Sequence, residues 1–328
     1  MPLRVAEMLT KVRRALASRY LFDNWLLLLI KYALTRLGFN VKLTAKVDNC
    51  AFELSPEVFG YLVNGASRGL IKLIRCDDRD VFVIYTNEIQ VPIEEFEKSD
   101  ACAIDFAVKN GWVYDLTNGF WLKDNVRFRH MRSTVFQVFN EGDYEQLDVK
   151  GRVVVDVGAF VGDSTVYFAL KGAKRIIAIE PHPGAFAEML DNIKLNNMEN
   201  VIIPVNAGLA SRPGKICIEN TNTYDTKYVY HRPGDCPNAV PAVTLGELIN
   251  RFNIDPNDAV LKMDCEGCEY DVILNDYDHV RLFRELIFEY HLRFVNKSLD
   301  DLLNVLGRDY KCDIRVDEDL GIMHCIKK

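Results

Sequence analysis

The chain is predicted to be an α/β protein: a mostly parallel sheet covered by helices, preceded by a smaller α+β unit. Three observations predict this. From residue 151 onward, strand-like runs alternate with helical stripes of roughly 10–15 residues, the pattern of a parallel sheet. The runs GRVVVDVG, RIIAIEP, VIIPVNAG, AVLKMDCEG and ELIFEYH are apolar almost throughout, as strands buried on both faces are. At 328 residues the chain exceeds the usual ~100–200 of one domain. Its 49% hydrophobic and 27% charged residues describe a globular protein, which excludes a disordered chain, a coiled coil and a collagen-like fibre. The expected division is 1–130 and 131–328.

Residues 1–37 read as helix, with Val5, Met8, Leu9, Val12 and Leu16 at helical spacing and Gly38 as a stop. VKLTAKV alternates like a strand, and VFVIYTNEIQV is rich in β-branched and aromatic residues. EEFEKSDACAIDFAVKNG reads as a helix ending at Gly111. WVYDLTNGFWL reads as two short strands about an Asn118-Gly119 turn. In the second half, Val166, Ala169, Leu170 and Ala173 form one helical face; Phe186, Met189, Leu190 and Ile193 form the next. Residues 220–240 are an excursion with turns. Thr244 with Glu247, and Ser298 with Asp301, are capping boxes before apolar helices. YKCDIRV and GIMHCIKK close the chain as a hairpin about Glu318–Asp319, a register that sets Cys312 opposite Cys325 and permits a contact or disulfide.

The net charge of −7 argues against a general nucleic-acid binder, which needs a basic face. The charge is uneven: residues 1–42 hold eight Lys/Arg against Glu7 and Asp23, so they carry +6 and the rest −13. No membrane span fits there, because the longest uncharged stretch, Asn24 to Ile30, is far short of the roughly 20 residues a span needs. A signal peptide fits poorly. The segment is expected to dock by Val5, Met8, Leu9 and Val12 with its basic face outward; the sharper reading is peripheral contact of residues 1–37 with anionic lipid. The expected location is cytoplasmic. Nine scattered Cys without a secretory signal read as thiols rather than a disulfide framework. Cys265 and Cys268 form a C-x-x-C, but no second close pair completes a zinc site.

Ligands of an open α/β sheet bind beyond the carboxyl ends of the strands. The first strand runs into Asp156-Val157-Gly158-Ala159-Phe160-Val161-Gly162-Asp163 and then Ser164, a D-x-G-x-x-x-G. This is neither a phosphate loop nor the dinucleotide fingerprint. Gly158 lets the backbone approach a ligand and Gly162 opens the next helix. Asp156 suits a cation better than a pyrophosphate. The second strand leads to Glu180-Pro181-His182; Glu180 can accept both ribose hydroxyl protons of a nucleoside. His182 is expected to pack beside the adenosine. The third ends Asn206-Ala207, where an amide could meet an adenine edge. The fourth ends Asp264-Cys265-Glu266-Gly267. Acidic or amide groups at successive strand ends suggest a nucleoside without phosphates, carrying positive charge, and S-adenosylmethionine fits. The candidate cofactor residues are Asp156, Gly158, Ala159, Phe160, Gly162, Asp163, Ser164, Glu180, Pro181, His182, Asn206, Ala207 and Asp264.

GRVVVDVGAFVGDSTVYFALKGAKRIIAIEPHP resembles the first two motifs of class I S-adenosylmethionine-dependent methyltransferases. VTLGELINRFNI followed by AVLKMDCEGCEYDVI is similar to the FkbM family of that class, through Lys262, Asp264, Glu266, Gly267 and Glu269. Phe288-Glu289-Tyr290-His291 is also similar, and the likeness covers roughly 140–295. It implies a Rossmann-like, seven-stranded, mostly parallel sheet with a C-terminal antiparallel hairpin. It also implies O-methylation of a hydroxyl on a sugar, glycan or natural product. A hydroxyl acceptor must lose a proton, for which Asp264 leads, with Glu266 or His291 next and Glu269 beside them. Clustered carboxylates would permit a metal, but the sequence requires none and no metal ligand is assigned. The rival readings are an RNA methyltransferase, since AIEPHPGAFAEMLDNIKLN also resembles archaeal-type tRNA guanine methyltransferases, and a non-catalytic scaffold recruited by the basic helix. The methyl acceptor and the oligomeric state are not legible.

Overall fold

The structure, a computed structural model, describes residues 12–78, 80–218, 231–292, 297–317 and 320–328. The chain divides into two compact units, Met1–Phe136 and Gln137–Lys328.

In the first unit, helix α1 (Trp25–Arg36) leads to the antiparallel pair β1 (Leu43–Val47) and β2 (Cys50–Leu54). Helix α2 (Pro56–Ser67) begins where the Ser55 hydroxyl accepts the Val58 N–H. The run VFVIYTNEIQV folds as a hairpin within a three-stranded sheet of β3 (Ile71–Asp77), β4 (Asp80–Tyr85) and β5 (Gln90–Pro92). Helix α3 (Ala101–Lys109) precedes a second small sheet, β6 (Val113–Asp115), β7 (Phe120–Lys123) and β8 (Val126–Phe128), turning at Asn118-Gly119 as expected. Trp112, Trp121 and Phe128 are fully buried in this unit.

Two expectations here are corrected. The helix over EEFEKSDACAIDFAVKNG is broken at Ser99-Asp100, because both side chains serve elsewhere: the Ser99 hydroxyl accepts from Met131 N and Asp100 Oδ2 from Ser133 N. The N-terminal helix is also interrupted. Helix at 12–17 and a 3₁₀ turn (Ser18–Tyr20) stop before Leu21 and Phe22, which are buried, and Asn24 bridges to β1 through Thr44 O and Lys46 N. Val5, Met8 and Leu9 lie outside the described residues; Val12 and Leu16 are exposed rather than docked.

In the second unit the predicted sheet forms. Its strands are β9 (Val153–Val157), β10 (Arg175–Ile179), β11 (Ile202–Val205), β16 (Ala259–Met263), β17 (Glu285–His291), β18 (Tyr310–Asp317) and β19 (Leu320–Lys327). Their order is β11-β10-β9-β16-β17-β19-β18. The first five run parallel, and β19 pairs antiparallel with both β17 and β18. Helices α4 (Asp163–Leu170) and α5 (Pro183–Leu195) follow β9 and β10; α6 (Leu245–Arg251), α7 (Cys268–Asn275) and α8 (Leu299–Leu306) belong to the other crossovers. Both capping boxes form. The strands are apolar on both faces because one core cluster gathers Val155, Ile177 and Leu261 and a second gathers Val154, Ile176 and Val260.

The excursion before α6 is more regular than expected. Strands β12 (Gly208–Leu209), β13 (Gly214–Ile218), β14 (His231–Pro233) and β15 (Ala239–Val243) make a separate four-stranded sheet. Residues 219–230 lie outside the described residues, as does the Glu318–Asp319 turn. Cys312 stands opposite Cys325, as the register requires. The thiol reading is corrected: Cys50–Cys76, Cys217–Cys236, Cys265–Cys268 and Cys312–Cys325 are disulfides, and Cys102 is in no disulfide. Tertiary pairing rather than spacing brings most of these together. Among the described residues, no helix is long and apolar enough to cross a membrane.

Candidate functional site

Strands β10, β9, β16 and β17 are consecutive neighbours, so the residues that follow them share the carboxyl edge. From the end of β10 to the end of β17 is three strand spacings, about 14 Å at ~4.8 Å each. An extended nucleoside with an amino-acid tail matches that span.

The glycine loop follows β9. Gly158 adopts φ +70°, and a Cβ there would lie 1.6 Å from the Asp264 carbonyl oxygen, so only glycine lets the two loops touch. The Gly158 and Ala159 N–H groups donate to Ile179 O, which binds the loop to β10. Asp156 lies at the centre and is fully buried. Its Oδ2 accepts from the hydroxyls of Ser164 (2.8 Å) and Thr165 (2.6 Å), and its Oδ1 is 3.2 Å from Lys262 Nζ. The cation that Asp156 suits is therefore Lys262. That ammonium also donates to Gly158 O (2.8 Å) and Val157 O (3.3 Å) and lies 5.2 Å from the Tyr144 ring centre. Burial alone would lower its pKa, but Asp156, Asp264 and Asp163 more than offset this and keep it charged. Asp163 is buried beside it, and burial pushes its carboxyl up to about 7 against the pull of Lys262.

Glu180 occupies the next strand end. Phe160 N–H donates to its Oε2 at 2.8 Å and His182 N–H to its Oε1 at 2.7 Å. Phe160 takes φ +45° in the loop. Each carboxylate oxygen thus keeps a lone pair for a further donor. Burial raises the Glu180 pKa to about 7, opposed by the two N–H bonds and Lys262. His182 Nδ1 accepts from Gly184 N and Ala185 N, so it caps α5. Pro181 lies between them, and Asn206 Nδ2 donates to Glu180 O (2.9 Å) and Pro181 O (3.3 Å). The Asn206 donor is committed to fixing this segment. Ala207 is buried and backs it.

The second group gathers where β16 and β17 end. Glu266 (φ +55°) and Gly267 (φ +111°) turn the chain sharply. Fully buried Glu269 closes that turn, accepting from Cys265 N at 2.7 Å and Gly267 N at 2.9 Å. The Cys265–Cys268 disulfide spans the same loop. His291, buried at the end of β17, faces three carboxylates: its Nδ1 is 3.6 Å from Glu269, and its Nε2 is 3.6 Å from Glu266 and 3.9 Å from Asp264. Burial pulls the imidazole down, but Glu269, then Asp264 and Glu266, raise it to about 10. Tyr144 donates to Asp264 Oδ2 at 3.0 Å. Glu289 on β17 is pushed up by burial and by Asp264 and Glu266, with His291 opposing. Ligand-type atoms of Asp264, Glu269 and His291 lie within 4.8 Å of one another, close enough to share a metal ion.

The geometry thus brings Asp264, Glu266, Glu269 and His291 together, and sets Gly158, Phe160 and Glu180 beside them along one edge. Lys262, Tyr144 and Glu289 were not singled out as site residues. Lys262 carried a signal, a lone charge inside an otherwise apolar strand. Tyr144 carried none.

Comparison with known proteins bears on the chemistry. The chain is 31% identical over 124 residues to a tRNA (guanine(37)-N(1))-methyltransferase of Methanocaldococcus jannaschii, covering 37% of this chain and 34% of that one. It is 25% identical over 148 residues to an uncharacterized protein of Sulfolobus islandicus rod-shaped virus 1, covering 45% of this chain and 66% of that one. The chain therefore spans about a third of the first relative and just under two thirds of the second. Among solved structures, a ribosomal protein L11 methylase from Lactobacillus delbrueckii subsp. bulgaricus matches with a TM-score of 0.35 and 15% identity, covering 56% of this chain and 74% of that one. A methyltransferase FkbM domain is matched at residues 156–313, just under half of the chain, and this stretch holds strands β10, β11, β16 and β17 of the seven-stranded sheet.

Proposed function

We propose that the protein transfers a methyl group from S-adenosylmethionine to a hydroxyl of a sugar, glycan or other small-molecule acceptor. The observation that carries this reading is the pairing of two unlike carboxylate sites on one sheet edge. One is the buried Glu180 cradle; the other is the Asp264–Glu266–His291 cluster.

The residues fit the donor. Glu180 is a buried carboxylate with acceptor capacity left over, which two ribose hydroxyls would use. Asp163 and Asp264 supply negative charge suited to a cationic ligand. The donor supplies an electrophilic methyl group on a sulfonium, so the protein has mainly to align the acceptor, exclude water and take a proton. A cationic imidazole has no lone pair to offer, so His291 serves as counter-charge and the base role falls to a carboxylate. Asp264 is the best placed: Tyr144 fixes one oxygen, and the other is directed towards His291. Glu266 shares the imidazolium. Glu269 is a positioning residue, since both its oxygens hold the loop that aims the other two.

A second reading is favoured by the likeness to a tRNA methyltransferase: an RNA base as acceptor. The acidic balance of the chain and the clustered carboxylates oppose it, because phosphate binding needs cations. The test is incubation with isotopically methyl-labelled donor and separate glycan, small-molecule and RNA extracts, read by mass spectrometry. Label in carbohydrate or small-molecule ether groups is expected. Label confined to RNA would overturn the reading.

A further inference from the structure

Helix α1 is amphipathic in the inverted sense. Its inner side is held by Leu28, which is fully buried, and by Tyr32, whose ring centre is 5.0 Å from that of Phe59. Its outer side should then be polar. Instead Leu26 is 57% exposed, Leu27 51%, Ile30 54% and Leu37 74%, and Phe39 just beyond is 60% exposed. Leu26, Ile30, Ala33 and Leu37 are spaced four, three and four residues apart, so they form one continuous stripe facing away from the unit's core. Isolated exposed leucines need no explanation, but a contiguous row on one helix does.

The charges around this stripe identify what it fits. The described residues from Val12 to Lys42 contain six Lys/Arg (Arg13, Arg14, Arg19, Lys31, Arg36 and Lys42) and one acid, Asp23, in a chain whose net charge is −7. On a helical wheel Lys31 and Arg36 flank the apolar arc on either side, where long stems can lie along hydrocarbon with their charges in the headgroups. Lys31 Nζ donates to Lys42 O, and Lys42 pairs with Glu53, both at exposed positions. Tyr20 and Phe39, aromatic and exposed, stand near the two ends of the row. We propose that α1 is an interfacial helix that seats this unit on an anionic lipid bilayer, with Leu26, Leu27, Ile30 and Leu37 in the acyl boundary. A symmetric second copy on the same face fits less well, because each cation would meet its own equivalent or a neighbour of like sign.

The test uses the full chain and vesicles of phosphatidylcholine alone or with about one third phosphatidylglycerol, followed by flotation. The wild type should float with the anionic vesicles at low salt. Binding should fall more than tenfold, on the order expected for screened charge, on going from about 0.05 M to 0.5 M NaCl. L26E/I30E should reduce binding at least ~tenfold while leaving the melting temperature and methyl-donor binding unchanged. L190E, at an exposed leucine of the second unit, should bind like the wild type. Failure to bind, equal binding to neutral vesicles, or equal loss in L190E would overturn the proposal. So would a wild-type dimer that L26E/I30E converts to monomer, which would assign the face to a second copy.

Discussion

Replacing Lys262 with Met removes one charge and little volume from the middle of the sheet. Lys262 is 1% exposed and Asp156 fully buried, so the pair has no water to fall back on. Met leaves Asp156 Oδ1 without its cation 3.2 Å away, and leaves Gly158 O without its 2.8 Å donor. Removing one partner of a buried pair costs about 3–5 kcal/mol, because the remaining charge stays desolvated. For a unit the size of Gln137–Lys328, at roughly 2–4 °C per kcal/mol, the melting temperature should fall by roughly 6–20 °C. Calorimetry of the wild type and K262M measures this directly. The deficit should shrink in acid, where a protonated Asp156 no longer needs the counter-charge, and D156N in the K262M background should recover part of it. A cooperative K262M transition within about 2 °C of the wild type would refute the claim that this ion pair locks the glycine loop.

Glu180→Ala should weaken methyl-donor binding by about ten- to a hundredfold, the worth of charged hydrogen bonds, with the melting curve largely kept; unchanged affinity by calorimetry would remove Glu180 from the site. Glu180 and Asp163 have pKa values raised to about 7, so the ligand-free fold holds protons that the unfolded chain has released, and their contribution to stability falls as pH rises from about 4.5 to 7. Donor affinity should move the other way, rising between about pH 6 and 8 as carboxylates ionise to meet hydroxyl donors and a cation; titration calorimetry giving a flat profile would contradict this. If a carboxylate base suffices, EDTA should leave turnover unchanged; activity lost to EDTA and restored by Mn²⁺ would place a metal on Asp264, Glu269 and His291.

Much of the second unit was legible because its signals are local and redundant. Apolar runs mark β9, β10, β16 and β17, and Thr244 with Glu247 marks the start of α6. Residues that cluster at strand ends could be named because a parallel sheet brings those ends to one edge. What each side chain does there was less legible. His182 caps a helix, and Asp156 answers a lysine 106 residues away, contacts that only tertiary structure creates. Tyr144 reaches Asp264 from outside any motif. Only Cys312–Cys325 was allowed for, by the hairpin register; the other disulfides were missed because pairs such as Cys50–Cys76 depend on strand packing. The helix over 1–37 was read from the spacing of Val5 to Leu16, which says nothing of which face of α1 meets the core, and leucines occupy both faces.

The central claim is that Asp264 takes the proton as methyl transfer proceeds on a donor held mainly by Glu180 and the glycine loop. The direct measurement is single-turnover methylation by D264N, with donor affinity measured on the same protein. The Asn keeps the shape and the Tyr144 contact but cannot accept the proton, so the account predicts at least a ~100-fold loss of rate, the usual scale for a general base, with donor affinity reduced only modestly. Methylation by D264N at the wild-type rate, with the donor bound normally, would contradict it.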